Sequence, residues 1–260
     1  MKKLRITLIQ STLLWEDPEG NRMLMDELLR PIRKGSTDVI VLPEMFNSGF
    51  TMNATRVAET MQGRTVSWMK EMAAMKRAVV CGSLVIKEKN RFLNRFVWAQ
   101  PDGQILYYDK RHLFRMAGEH STYSAGKRRT IIEYMGWRIC PQICYDLRFP
   151  VWSRNRNDYD LLLYVANWPE RRRSAWMKLL PARAIENQCY VVAVNRVGTD
   201  GKNIVYAGDS VACDMWGEPL TDIKPYKGSV VTVSLDAKPL QSSRQSFPVG
   251  LDADAFSLRG

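Results

Sequence analysis

Short, almost continuous apolar runs alternate along this chain with stretches of helical spacing, and the alternation predicts a mixed α/β chain. Residues 4–10 predict a strand. After the turn material Asp17-Pro18-Glu19-Gly20, the spacing of Met23, Leu24, Glu27, Leu28 and Pro31 predicts a helix to about Arg33, with Gly35 as its stop. Asp38-Val39-Ile40-Val41-Leu42 has the composition of a strand buried on both faces. Pro43 ends it, so Glu44 emerges at its C-terminal end. A polar loop from Met45 to Thr60 precedes a helix over about 65–77, whose apolar stripe is Val66, Met69, Met72, Ala73 and Met75. Strand patterns at 78–86, 92–100 and 104–109, separated by the turns 87–90 and Pro101-Asp102-Gly103, predict a hairpin meander.

From Lys110 to Gly126 the periodicity disappears, and a loop this long inside a compact domain is usually functional. Strands at 130–134 and 137–143 lead into Cys144, and Pro150 opens a predicted helix to about Asn157. Residues 161–166 predict a buried strand ending in Asn167-Trp168-Pro169. A helix over 174–187 contains Pro181, which predicts a kink or a split. Strands at 189–194, 204–206, 210–214 and 229–234 complete the reading, and the tail from Asp236 has no assignment.

Composition narrows the classes. At 260 residues, 45% hydrophobic and 25% charged, the chain suits one globular domain spanning 1–260. It has no run of the roughly 18 apolar residues that a membrane span needs. Residues 1–9 lack a signal-peptide pattern, so a cytoplasmic protein is expected. The net charge of +11 raises nucleic acid or acidic membranes as partners. The Lys and Arg residues are nevertheless scattered, without basic and aromatic interleaving, which points to a solvated surface and to neither partner. Arg171-Arg172-Arg173 is the one compact cluster. Five cysteines without paired metal-ligand spacing, and only two histidines, argue against a metal site or a Cys–His protease. With no Gly-rich phosphate loop either, no metal, nucleotide or flavin cofactor is expected.

Three chemically useful residues stand at predicted strand ends: Glu44, Lys110 and Cys144. Singly, each is most often a surface or packing residue. As a set they make chemical sense. A carboxylate can take a thiol proton and later activate water, a fixed ammonium can stabilise an oxyanion, and a thiolate can form an acyl-enzyme. Ends of neighbouring strands in one sheet come together. Cys144, between a strand end and a helix start, is expected to have a lowered pKa.

Pro43-Glu44, Asp109-Lys110-Arg111-His112-Leu113 and Ile143-Cys144-Tyr145-Asp146-Leu147-Arg148-Phe149 resemble the three signature segments of the nitrilase, or carbon-nitrogen hydrolase, superfamily. Arg183–Asn187, the strand ending at Asn167, and Gly208-Asp209-Ser210 match its later segments in order. The resemblance covers nearly the whole chain. It implies an αββα sandwich, with Glu44 as general base, Lys110 as oxyanion stabiliser, Cys144 as nucleophile, and Glu119 as a second glutamate that positions Lys110 and the amide. It also suggests a homodimer joined across helical faces. Pro181 departs from the family pattern and puts only the local helix geometry in question.

Cys144 to Pro150 together with His112-Leu113-Phe114 looks most like the omega-amidase branch, which hydrolyses 2-oxoglutaramate and 2-oxosuccinamate to the 2-oxo acid and ammonia. True nitrilases typically carry Trp after the cysteine; this chain has Tyr145. A buried substrate carboxylate needs a cation. Arg148, which could instead pair with Asp146 or a nearby glutamate, and Arg171, Arg172 or Arg173 are the candidates, with Phe114, Tyr145 and Trp168 as apolar walls. Two alternatives are another linear amidase, carbamoylase or nitrilase, and a basic nucleic-acid-binding protein on an inactive hydrolase scaffold.

Overall fold

A computed structural model describes residues 3–257. Two sheets carry the architecture. In the first, Ser229–Leu235, Leu4–Gln10, Val39–Val41, Val79–Glu88, Arg91–Ala99 and Ile105–Asp109 lie side by side in that order. In the second the order is Val211–Cys213, Tyr190–Asn195, Leu161–Ala166, Trp137–Ile143 and Ile132–Tyr134. The central strands of each sheet are parallel and the outer ones antiparallel.

Alternation along the strands builds the layers. Ile6, Leu8, Val39, Val41 and Val79 share one apolar cluster with Ile139, Leu161 and Leu163, so the two sheets pack face to face. Ile40, Leu42 and Val80 point the other way, onto Met25 and Leu29 of the helix Pro18–Leu29 and Val66, Met69 and Ala73 of the helix Arg64–Lys76. On the far side of the second sheet the helix Arg173–Asn187 packs Trp176, Leu180 and Ala184 inward. The result is the αββα sandwich.

The first helix begins where Asp17 accepts a hydrogen bond from Gly20 N, with Pro18 in its first turn, and ends at Leu29 instead of reaching Arg33. The meander over 79–109 forms as the pattern predicts. Met135 and Gly136, both at positive φ, make the tight turn between Ile132–Tyr134 and Trp137–Ile143.

Three local expectations fail for identifiable reasons. The helix after Pro150 stops at Ser153, because the Asn155 side chain accepts from Asp158 N and donates to Tyr159 O, folding the next residues into a turn. Pro181 does not split its helix, which runs unbroken over Arg173–Asn187. The carbonyl that Pro181 leaves without a donor belongs to exposed Met177, where water can replace the missing N–H. Residues 110–126 are not pure loop either, and contain short helical turns at Arg115–Ala117 and Glu119–Thr122. The turn Ala54–Val57, the strand Val197–Thr199 paired with Val205–Ala207, and the helix Ala237–Ser246 have no counterpart in the sequence reading. Among the described residues, no helix is long and apolar enough to cross a membrane.

Candidate active site

Glu44, Lys110, Glu119 and Cys144 meet in one buried cluster, but not as neighbours along one sheet edge. Glu44 and Lys110 follow strands of the first sheet, whereas Cys144 follows Trp137–Ile143 of the second. The site therefore lies where the C-terminal ends of two facing sheets meet, and that correction explains why its charges are dry. Glu44 and Glu119 are 0% exposed and Lys110 is 1% exposed.

The Lys110 ammonium donates to Glu44 Oε1 at 2.9 Å and to both Glu119 oxygens at 3.0 Å. Glu44 Oε2 accepts from the backbone N–H of Asn167 at 2.8 Å, at the end of the strand Leu161–Ala166. The Phe114 N–H donates to Glu119 Oε2 at 2.5 Å, which folds the loop after Lys110 back over the cluster. Asn94 donates to Glu44 Oε1 at 2.8 Å and to Glu119 Oε1 at 3.3 Å. Sequence reasoning overlooked Asn94, although a polar residue inside the apolar run Phe92-Leu93-Asn94-Arg95-Phe96 was visible.

Charge balance sets the proton affinities. Burial lowers the pKa of Lys110, but Glu119 and Glu44 outweigh it and raise the ammonium's pKa, so Lys110 remains a cation. Burial, opposed by Lys110 and reinforced by the Glu44 charge, raises the carboxyl of Glu119. The thiol of Cys144 is raised well above the ordinary cysteine range by burial first and then by the Glu44 charge. That reverses the expectation of a lowered pKa. The segment Cys144–Arg148 is a short 3-10 turn without the dipole of a long helix, and two carboxylates face the sulfur. The thiol thus keeps its proton, with the Glu44 charge acting on it.

Cys144 itself has φ 45°, the left-handed region that a residue with a side chain rarely occupies, so the turn presents its sulfur sharply at the strand end. Asp146 holds that turn. It accepts from Ile143 N at 3.0 Å, from His112 N at 2.9 Å and from the Tyr108 hydroxyl at 2.8 Å, and its Oδ1 lies 2.8 Å from His112 Nδ1. The carboxylate fastens the Cys144 turn to the segment after Lys110, so it is not free to pair with Arg148.

A cavity of about 230 Å³ opens onto Cys144 and Lys110. Phe114, Tyr145 and Trp168 line it, as do Arg148, Arg171 and Arg172. The Arg148 guanidinium lies 5.0 Å from the Trp168 ring centroid and that of Arg172 4.8 Å from Phe114. Among the described residues neither has a carboxylate partner. Arg173 is not part of this wall. Its guanidinium donates to both oxygens of Asp209, at 2.6 and 2.8 Å, and is thereby turned away from the cavity. Phe50, Asp200, Lys202 and Tyr206, not among the candidate site residues read from the sequence, also line the cavity, the last three from the hairpin region of Val197–Thr199 and Val205–Ala207.

Fold and cluster meet where the two sheets come together, and the chain belongs to the carbon-nitrogen hydrolase family, whose profile matches residues 5–245. It is an enzyme of that kind. Its relatives include the omega-amidase YafV of Yersinia enterocolitica, 48% identical over 258 residues that cover 99% of this chain and 100% of the relative. The 2-oxoglutaramate amidase of Bacillus subtilis is 33% identical, over 95% of this chain and 96% of its own. A crystal structure of a carbon-nitrogen hydrolase superfamily protein from Xanthomonas campestris, with an arsenic adduct in its active site, superposes with a TM-score of 0.97 at 48% identity, covering 100% of both chains.

Proposed function

We propose that this enzyme hydrolyses the terminal amide of 2-oxo dicarboxylate monoamides, 2-oxoglutaramate and 2-oxosuccinamate, to the 2-oxo acid and ammonia. The observation that carries the substrate class is the pair Arg148 and Arg172. Two guanidiniums rest on aromatic rings in a cavity that ends at a buried thiol, and among the described residues neither is matched by a carboxylate. A substrate anion supplies that partner. The full-length likeness to proteins named omega-amidase and 2-oxoglutaramate amidase supports the same reading.

In the proposed reaction the Cys144 sulfur attacks the amide carbon as Glu44 accepts the thiol proton. The oxyanion forms between the Lys110 ammonium and the Tyr145 backbone N–H, and Glu44 returns the proton to the departing ammonia. Glu44 then deprotonates a water that attacks the thioester, the 2-oxo acid leaves, and Glu44 returns the proton to the expelled Cys144 sulfur. Lys110 cannot serve as the base, because Glu119 and Glu44 keep it protonated. Glu119 holds the ammonium through two hydrogen bonds and fixes its direction. Phe114, Tyr145 and Trp168 form the walls, and Arg172 and Arg148 receive the distal carboxylate.

The test is ammonia release from 2-oxoglutaramate by the wild type beside Cys144→Ala, with asparagine, a carbamoyl amine and a simple nitrile for comparison. Fast turnover of the keto amide that disappears in the variant is the expected result. Preference for another member of the panel overturns the substrate assignment and leaves the nucleophile in place.

A further inference from the structure

The active cluster holds two carboxylates against one ammonium, all three buried. Two buried like charges this close do not both ionise readily, and one normally keeps a proton. If Glu44 kept it, the site would have no base. The fourth corner of the cluster bears on this problem. The two N–H groups of Asn94 reach Glu44 Oε1 at 2.8 Å and Glu119 Oε1 at 3.3 Å, opposite Lys110. Its carbonyl is not free to exchange places with the amide nitrogen, because the Ser83 hydroxyl donates to Asn94 Oδ1 at 2.8 Å. Ser83 Oγ in turn accepts from the backbone N–H of Met45, next to Glu44, at 2.8 Å. Ser83 and Asn94 are 0% and 1% exposed.

We propose that Asn94, locked by Ser83, is a positioning residue that keeps Glu44 and Glu119 ionised together, and so keeps Glu44 available as the base. The inference rests on the role given to Glu44 above. The residue type follows from the charge balance. A Lys or Arg at this corner would pair with Glu44 and weaken it as a base, and an apolar residue would leave two carboxylates sharing too few donors. An amide adds donors without adding charge. The titratable groups around the two carboxylates are Lys110, Cys144 and Tyr123. Tyr123 donates its hydroxyl to Thr51 O and gives no hydrogen bond to either glutamate. Asn94 is therefore the neutral side chain that bridges the pair.

The experiment is the pH dependence of kcat/KM on 2-oxoglutaramate for the wild type, Asn94→Leu, Ser83→Ala and Glu44→Gln, with circular dichroism on each. The acid limb reports the base of the free enzyme. Hydrogen bonds to an anion favour its charged form, so removing them raises the carboxyl pKa. The limb in Asn94→Leu is expected to move to higher pH by about one unit. In Ser83→Ala the amide is only loosened, so a smaller move in the same direction is expected; that variant decides the matter if Asn94→Leu does not fold. A folded Asn94→Leu that is slower at every pH, with its acid limb unmoved, overturns the inference, because that is what simple structural support would give. Glu44→Gln separates the two levels. If it is inactive, as expected, the limb shift tests Asn94 alone; if it retains wild-type turnover, the base assignment falls and this inference with it.

Discussion

The two ends of the buried strand Leu161–Ala166 carry opposite electrostatic designs. At its C-terminal end, Asn167 N–H joins a cluster of two carboxylates, Glu44 and Glu119, and one cation, Lys110. Before its N-terminal end, one carboxylate, Asp160, sits between two cations. Arg138 donates to it at 3.1 and 2.8 Å, and Arg244 at 2.8 Å. At the first end burial raises the proton affinities of Glu119 and Cys144, with the Glu44 charge adding to it, while the two carboxylates raise that of Lys110 against burial. Surplus positive charge does the reverse. Burial pushes the Asp160 carboxyl up, but hydrogen bonds from Arg138 and Arg244 outweigh it and hold the pKa below the ordinary aspartate value. The first end has protons held in tension and suits chemistry; the second has satisfied its charge and suits stability.

The active cluster depends most on its one cation, Lys110. Lys110→Met is expected to lower kcat by about 10²–10³ or more, the usual cost of losing one positioned oxyanion donor. Steady-state turnover of 2-oxoglutaramate checks it. The variant should not be rescued at alkaline pH. Lys110 has a raised pKa, so its contribution is complete at neutral pH and is lost only as pH rises through the folded value, above the ordinary lysine range.

Arg172→Gln addresses the cavity wall. Loss of a charge-assisted hydrogen bond to the substrate is expected to raise KM for 2-oxoglutaramate by roughly tenfold to a hundredfold, with kcat nearly kept. A neutral linear amide, which has no distal carboxylate, should be indifferent to the change. Equal loss on both substrates would assign Arg172 to packing over Phe114.

Asp160→Ala tests the other end of the strand. It should leave turnover unchanged and lower stability by about 2 kcal/mol. Removing one partner of a fully buried pair costs more, but Arg138 and Arg244 are 33% and 21% exposed at the side chain and can turn to water. For a chain of this size that corresponds to roughly 4–8 °C in Tm. The pH dependence has a definite sign. A lowered folded pKa gives stability that is present above the ordinary aspartate pKa and is lost as pH falls through the folded value, so the variant's melting temperature should fall less steeply into acid.

Much of this contrast was legible in the sequence, and unevenly so. The strand ending at Asn167, the meander and the turn at Cys144 were readable because apolar runs, turn residues and Pro43 mark them locally. Glu44, Lys110 and Cys144 stood out at strand ends for the same reason. That Cys144 comes from a different sheet could not be read, because strand order is decided by packing between elements far apart in the chain. Asn94 and Asp160 were missed for a related reason. A buried polar residue is meaningful only through its partners, and theirs lie 50 and 25 residues away for Asn94, and 22 and 84 for Asp160. The raised thiol pKa of Cys144 also depends on distant charges, and the local rule for a strand-to-helix junction gave the wrong sign.

The smallest expected effect separates adjacent arginines. Arg172 and Arg173 are neighbours in a basic run, and the sequence offered no means of choosing between them. The structure divides their work: Arg172 lines the cavity, while Arg173 donates to Asp209, the residue after Gly208 in a turn where both have positive φ. The Arg173 side chain is 38% exposed, so its ion pair is largely screened by water. Arg173→Gln is expected to change KM for 2-oxoglutaramate by less than about twofold and stability by about 1 kcal/mol or less. Parallel kinetics with Arg172→Gln provide the check. If Arg173→Gln raised KM as much as Arg172→Gln, the carboxylate site would have to extend across both residues, and the geometric division drawn here between cavity wall and turn support would be wrong.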